Sequence, residues 1–306
     1  MKTPNYLLTL FMLAGLTLST ALQAQNQTGI DSTGLPGDNF SLQGALEMFK
    51  KASSIEEFEK LINTQDNSIN NLDLDGDGET DYVRVIDRDE KEVHAFVLQV
   101  AVSESENQDI AVIELEKNGT ESAMIQIVGD EDIYGEEVIV EPDGGDDSAM
   151  IGFMDDQASG PAVNLEQSPA IVVNVWFWPS VRFVYGPLYR PWVSPWRWRH
   201  YPGWWRPWRP FAWRVWHPRC VVYHRPFVVV RTHRVVRAHA VYRPVRVTSV
   251  TVQRRNSVAV KNYRVTRTRT TVTGPRGNKA VKTTTTVRGK GGRVKAKKTT
   301  VRRKKG

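Results

Sequence analysis

All 34 aspartates and glutamates of this 306-residue chain lie at or before Glu166, and 33 of the 41 lysines and arginines lie after it. The last 140 residues therefore hold no acidic side chain. From residue 25 the acidic part carries 7 bases against 34 acids, formally −27, and the part from Gln167 is formally +33. The net charge of +7 describes neither part. Like charge at this density repels itself, resists compaction and attracts polyanions. The sequence thus predicts an acidic folded module attached to a basic interaction tail.

Lys2 precedes an apolar run from Leu7 to Leu18, and small residues follow at Ser19, Ala21 and Ala24. This is a signal-peptide pattern over residues 1–24. It predicts export to the periplasm, the outer membrane or the cell surface. The apolar run is shorter than the about 20 residues that a spanning helix needs. Cys220 is the only cysteine, so stability must come from packing or metal rather than from an internal disulfide.

Residues 25–38 are polar and read as a flexible leader with too few apolar groups to offset ordering entropy. An acidic α+β domain is expected over 39–150. Ser41 can cap a helix with Leu42, Ala45, Leu46 and Phe49 on one face, and Ser54 with Glu57 forms a capping box ahead of Ile55, Phe58, Leu61 and Ile62. After Asp81 the period changes to two, in β-branched runs at 82–86, 95–102, 110–115, 124–128 and 138–140. Short connections between them favour an antiparallel meander covered by the two short N-terminal helices. A linker at 151–169 leads to a Trp/Pro/Arg/Val-rich segment at 170–247. The basic Thr/Lys/Arg tail at 248–306 repeats Thr-Thr-Val with almost no other apolar content and is expected to be extended or disordered.

The most specific local motif is Asp73-Leu74-Asp75-Gly76-Asp77-Gly78-Glu79-Thr80-Asp81. Carboxylates at loop positions 1, 3, 5 and 9, with the Glu79 carbonyl at 7, can surround one Ca²⁺ with oxygen ligands. Over these nine residues the chain resembles the calcium loops of EF-hand and dockerin proteins. The resemblance implies Asp73, Asp75, Asp77, Glu79 and Asp81 as ligands. Thr80 stands where the EF-hand pattern has an aliphatic residue, and Arg84 where it has the bidentate acid. The strand-like Tyr82-Val83-Arg84-Val85-Ile86 that follows makes the loop more similar to FG-GAP calcium sites. A bound Ca²⁺ is expected to be weak and structural.

All ten tryptophans fall between Trp176 and Trp216, interleaved with Pro and Arg. Pro at this density excludes a regular helix or a central strand. Trp196, Arg197, Trp198, Trp204, Trp205, Arg206, Trp208 and Arg209 suit contact with an anionic bilayer edge or stacking on sugars, and their composition is similar to that of membrane-active Trp/Arg peptides. The competing reading is that the indoles pack onto the acidic domain. Nucleic acid is the least favoured partner, since an exported protein seldom meets it.

His217, Cys220 and His224 have a spacing that could hold Zn²⁺ or copper, but Arg219 and Arg225 oppose a cation. No phosphate-binding loop, metalloprotease signature or nucleophile elbow is present, and His94 is the only histidine within 39–150. The expectation is therefore a non-enzyme with no small-molecule substrate. As a whole the chain is similar to uncharacterised exported bacterial families that join a small acidic domain to a Trp/Pro/Arg-rich region. The expected role is anchoring to an anionic envelope surface, lipid or polysaccharide. The alternative is self-association, with the acidic half of one molecule engaging the basic half of another.

Overall fold

Ser41 starts the first helix in this computed structural model, which describes residues 32–144, 172–273, 279–288 and 294–304. Its hydroxyl oxygen accepts the Gly44 N–H at 3.0 Å, and α1 (Leu42–Lys51) buries Leu42, Ala45, Leu46 and Phe49. Ser54 caps α2 (Ile55–Ile62) by accepting from the Glu57 N–H at 3.1 Å. The return bond of the expected capping box comes from one residue earlier, because Glu57 accepts the Ser53 N–H at 2.7 Å.

Five strands follow: β1 (Val83–Glu90), β2 (Val93–Ala101), β3 (Asn107–Gly119), β4 (Ser122–Gly129) and β5 (Val138–Pro142), with a short helix α3 (Glu131–Tyr134) before the last. Each pairs antiparallel with the next, and β6 (Phe227–Val230) joins β5 to complete a six-stranded sheet. One face of the sheet meets α1 and α2. There Phe49 touches Phe58 and Phe96 with ring centroids 5.2 Å apart in both pairs, beside Leu98, Val100, Ile113 and Leu115. Each such buried side chain contributes about 1.5–3 kcal/mol.

The α+β class holds, but the narrower expectation of two N-terminal helices on a meander, with an extended or disordered tail beyond, does not describe the molecule. Helices recur through the basic half: α4 (Pro179–Val184), α5 (Trp213–Cys220), α6 (Val236–Tyr242) and α7 (Val250–Arg264). The reason lies in β2 and β3, whose residues are buried on both faces. The second face carries Ala95, Val97, Val112, Val128 and Ile139, which would be left in water without a cover. Tyr242 closes this patch, and Val235 and Ala238 cover Val93. On the first face Val175, Trp178, Val181 and Val184 from around α4 join the main core.

Residues Ser32–Gly306 consequently form one compact unit rather than an acidic domain with a separate tail. Order also begins earlier than Asn39. Ser32 and Thr33 hydroxyls each donate to the Asp38 carboxylate at 2.7 Å, and the buried Leu35 seals the turn. The Thr-Thr-Val region forms a second antiparallel sheet, β7 (Val265–Thr273), β8 (Lys279–Arg288) and β9 (Val294–Lys304), instead of a disordered tail. Its backbone partners are supplied locally, Thr268 opposite Thr284 and Thr284 opposite Thr299. The expected signal peptide, the first half of the leader and the expected linker lie outside the described residues. Among the described residues no helix is long and apolar enough to cross a membrane.

Candidate functional site

The acidic loop closes on itself through its own backbone. Asp73 accepts the Gly76 N–H at 2.6 Å and the Gly78 N–H at 3.1 Å; Asp75 accepts the Asp77 N–H at 3.1 Å and Asp77 the Glu79 N–H at 2.9 Å. Gly76 has φ +72°, a backbone conformation that favours glycine, and the Arg255 guanidinium lies against it. The result gathers carboxylate oxygens of Asp73, Asp75 and Asp77 within 4.8 Å of one another.

Of the two remaining expected ligands, Glu79 would act through its backbone carbonyl, and Asp81 is placed differently. Asp81 lies outside that group and is turned inward, accepting the Leu74 N–H at 2.5 Å. The Glu79 side chain is exposed. Burial first, and then the charges of Asp75, Asp73 and Asp77, hold the Asp81 carboxyl well above the usual carboxylate range. Burial, followed by the charges of Asp77 and Asp73, raises Asp75 as well. A cation among the three outer carboxylates would relieve this repulsion.

Residues of the basic half lie over the loop. The Thr80 N–H and hydroxyl both donate to the Trp208 carbonyl, at 2.8 and 2.9 Å. Arg255 donates to the Leu74 carbonyl. The Trp198 indole N–H faces the Asp75 carboxylate without closing a hydrogen bond. Next to the loop, the Tyr82 ring packs edge-on to Trp205 at 5.2 Å and against Tyr201 and Trp204.

The eight residues expected to form an aromatic anchor are accordingly divided. Trp205 is only 2% exposed, and Trp196, Trp198 and Trp208 are half-buried. Of the ten tryptophans only Trp204 is exposed, at 47%, with the Lys60 ammonium 5.6 Å from its ring. Arg197, Arg206 and Arg209 stay exposed. Two further indoles are tied to the acidic half: Trp192 donates to Glu59 at 3.1 Å, and Trp216 to the Asp38 carbonyl at 3.0 Å. The Trp/Arg segment thus turns most of its indoles inward and its guanidinium groups outward.

Where the halves meet, buried sheet carboxylates receive the ends of the basic helices. Glu116 accepts the Arg237 and Ala238 N–H groups at 2.5 and 3.0 Å, completing the first turn of α6. Glu106, half-buried just before β3, does the same for α7 through the Thr251 N–H at 3.1 Å. Asp109 accepts from Tyr242, Val247 and Gln99 at 3.1, 2.8 and 2.6 Å. Arg246 reaches Asp130 and Asp132, both at 2.7 Å.

The remaining histidine and cysteine candidates have structural settings. His94 lies 2.9 Å from Asp87, which also accepts the Tyr189 hydroxyl at 2.7 Å, and its ring stacks on Phe96. The Cys220 thiol donates to the Ser68 carbonyl at 3.5 Å and is pushed up to about 12 by burial. Compared with protein-family models, curated proteins and solved structures, the chain matches none.

Proposed function

We propose that this is an exported, non-enzymatic envelope or surface protein that binds an anionic polymer or surface, such as lipopolysaccharide, anionic lipid or acidic polysaccharide, through its basic C-terminal sheet. The observation that carries this reading is where the positive charge is placed along the fold. Arg234, Arg237, Arg243 and Arg246 are spent on acids of the same chain. The strands β7–β9 carry eleven Lys and Arg and no acid, in a sheet of their own.

The strand register distributes these bases. Positions 267, 269, 279, 298, 302 and 304 share one face, and 282, 297 and 303 the other. Alternate residues on a strand stand about 7 Å apart and neighbouring strands about 4.8 Å apart, so six basic positions share one face at that spacing. The exposed Trp204, Arg197, Arg206 and Arg209 add a smaller patch. The Trp segment serves chiefly to cover the acidic half. In this reading Ca²⁺ sits weakly among Asp73, Asp75 and Asp77, relieving their repulsion and fixing the loop on which Trp208 and Arg255 rest.

A second reading is favoured by one observation: β7 and β9 form the two edges of their sheet, and open edges can pair with another copy. Self-association would then run through strand addition.

Vesicle binding tests the primary reading. The full chain should bind anionic vesicles or lipopolysaccharide and lose affinity in ~0.5 M salt, where charge is screened within a few Å. A chain ending at Arg264 should lose most of that binding. Equal binding by the truncated chain would remove the sheet from the surface, and equal binding to neutral vesicles would remove the electrostatic reading altogether.

A further inference from the structure

Glu114 is completely buried, on the face of the sheet that the basic half covers. Its Oε1 lies 2.8 Å from Nδ1 of His239, on α6, and its Oε2 accepts the Gln126 amide N–H at 2.5 Å. Gln126 stands directly opposite on β4. His233, in the turn between β6 and α6, places its ring centroid 4.1 Å from that of His239. Its Nε2 is 3.4 Å from Glu137, which immediately precedes β5. Donor atoms of Glu114, His233 and His239 all fall within 4.8 Å of one another.

We propose that Glu114, His233 and His239, with Glu137 beside them, bind one divalent transition-metal ion, Zn²⁺ foremost. Two imidazoles and a carboxylate are the nitrogen and oxygen donor set of a borderline ion, whereas Ca²⁺ and Mg²⁺ prefer oxygen alone. Ligand bonds of about 2.0–2.1 Å place tetrahedral donors roughly 3.3 Å apart, which the present cluster reaches with side-chain shifts of about an ångström. The three ligands come from β3, the turn before α6 and α6 itself, so the framework that positions them is the sheet and its cover rather than one loop. Both imidazoles keep about a quarter of their surface exposed, 25% for His233 and 23% for His239, which leaves a route for the ion.

Gln126 explains how the cluster holds together without metal. Its Oε1 accepts the Arg234 N–H at 3.0 Å and the Val235 N–H at 3.4 Å, which fixes the amide and directs Nε2 at Glu114 and at Nδ1 of His233, 3.2 Å away. The amide bridges two acceptors as a cation would, and metal binding must displace that bridge. The facing charges are compatible with an ion. Arg243 pairs with Glu137, and Arg234 and Arg237 are directed at Glu141 and Glu116.

The experiment is a Zn²⁺ titration of the full chain after chelator dialysis, followed by calorimetry and by Co²⁺ substitution with visible absorption. One ion per chain is expected, with the Co²⁺ spectrum of a four-coordinate nitrogen and oxygen site. His233→Ala and His239→Gln should each lower affinity by more than the roughly 10–100-fold that loss of an outer-shell partner costs. Cys220→Ser and the double variant Asp73→Ala/Asp77→Ala should leave it unchanged. If a histidine variant does not fold by circular dichroism, Glu137→Gln at the rim reports instead, with a loss of about tenfold. No binding by the wild-type chain, or binding that survives all three ligand-region variants, overturns the site and leaves a hydrogen-bond network organised by Gln126.

Discussion

Arg246 shows how single residues hold the two halves together. Its guanidinium bridges Asp130 and Asp132, and burial raises the Asp130 carboxyl to about 6 although Arg246 opposes the shift. A folded-state value above the unfolded one means that protonated Asp130 favours the fold. That contribution is fully present below the unfolded value and is lost as pH rises through about 6. Arg246→Met removes the opposing cation, so the ionised carboxylate becomes costlier still. Urea unfolding should show a small loss near pH 5 and about 3 kcal/mol at pH 8, the scale for breaking a buried pair. An equal loss at both pH values would show that Arg246 acts by packing alone. At the same scale the acidic loop was legible, since the rhythm of Asp73, Asp75 and Asp77 is local. Millimolar Ca²⁺ should raise the melting temperature of the full chain by binding the folded state, and Asp73→Ala/Asp77→Ala should abolish the rise. The role of Glu116 as a cap for α6 was not legible, because cap and helix are more than a hundred residues apart.

Elements with their own signals were readable from the sequence. Ser41 and Ser54 mark α1 and α2, and the period-two runs give β1 to β5 to within a few residues at most ends, β3 reaching further. The second cover was also written there, in the near-continuous apolar run Val93-His94-Ala95-Phe96-Val97-Leu98, which signals burial on both faces. What hid it was the composition of the covering segment. Pro and Arg exclude long helices between Tyr185 and Ala212, and the chain there is indeed mostly irregular. Irregular chain can still be fixed by side chains, as Trp192 on Glu59 and Trp205 on Tyr82 show. Limited trypsin digestion measures that order. Cleavage should begin beyond Arg264, while Arg234, Arg237 and Arg246, engaged with Glu141, Glu116 and Asp130, resist it. Early cleavage at those three sites would mean that α6 and its flanks open readily in solution.

At the scale of the whole molecule, the −27 and +33 parts are not separate blocks that each repel themselves; within one chain they share a sheet, a core and buried ion pairs. Composition alone could not show this, because charge counts give no information on which acids are buried. Glu114, Glu116 and Asp109 are buried in the sheet; Gln126 and Gln99 of the acidic half serve the first and the last, and the basic half supplies further donors to all three. A fragment of residues 25–144 should therefore lack a cooperative melt and bind a hydrophobic dye, since Ala95, Val97, Val112 and Val128 lose Tyr242 and three buried carboxylates each lose donors. Adding a fragment of residues 172–306 should restore one transition at equal stoichiometry. Salt should weaken the reconstituted pair only modestly, because screening acts on exposed charges more than on buried ones, and the Glu116 and Asp130 side chains are 6% and 2% exposed. If instead the acidic fragment melts cooperatively at the temperature of the full chain, the second face needs no cover. The basic half would then be free to engage other molecules with its arginines as well as with the C-terminal sheet.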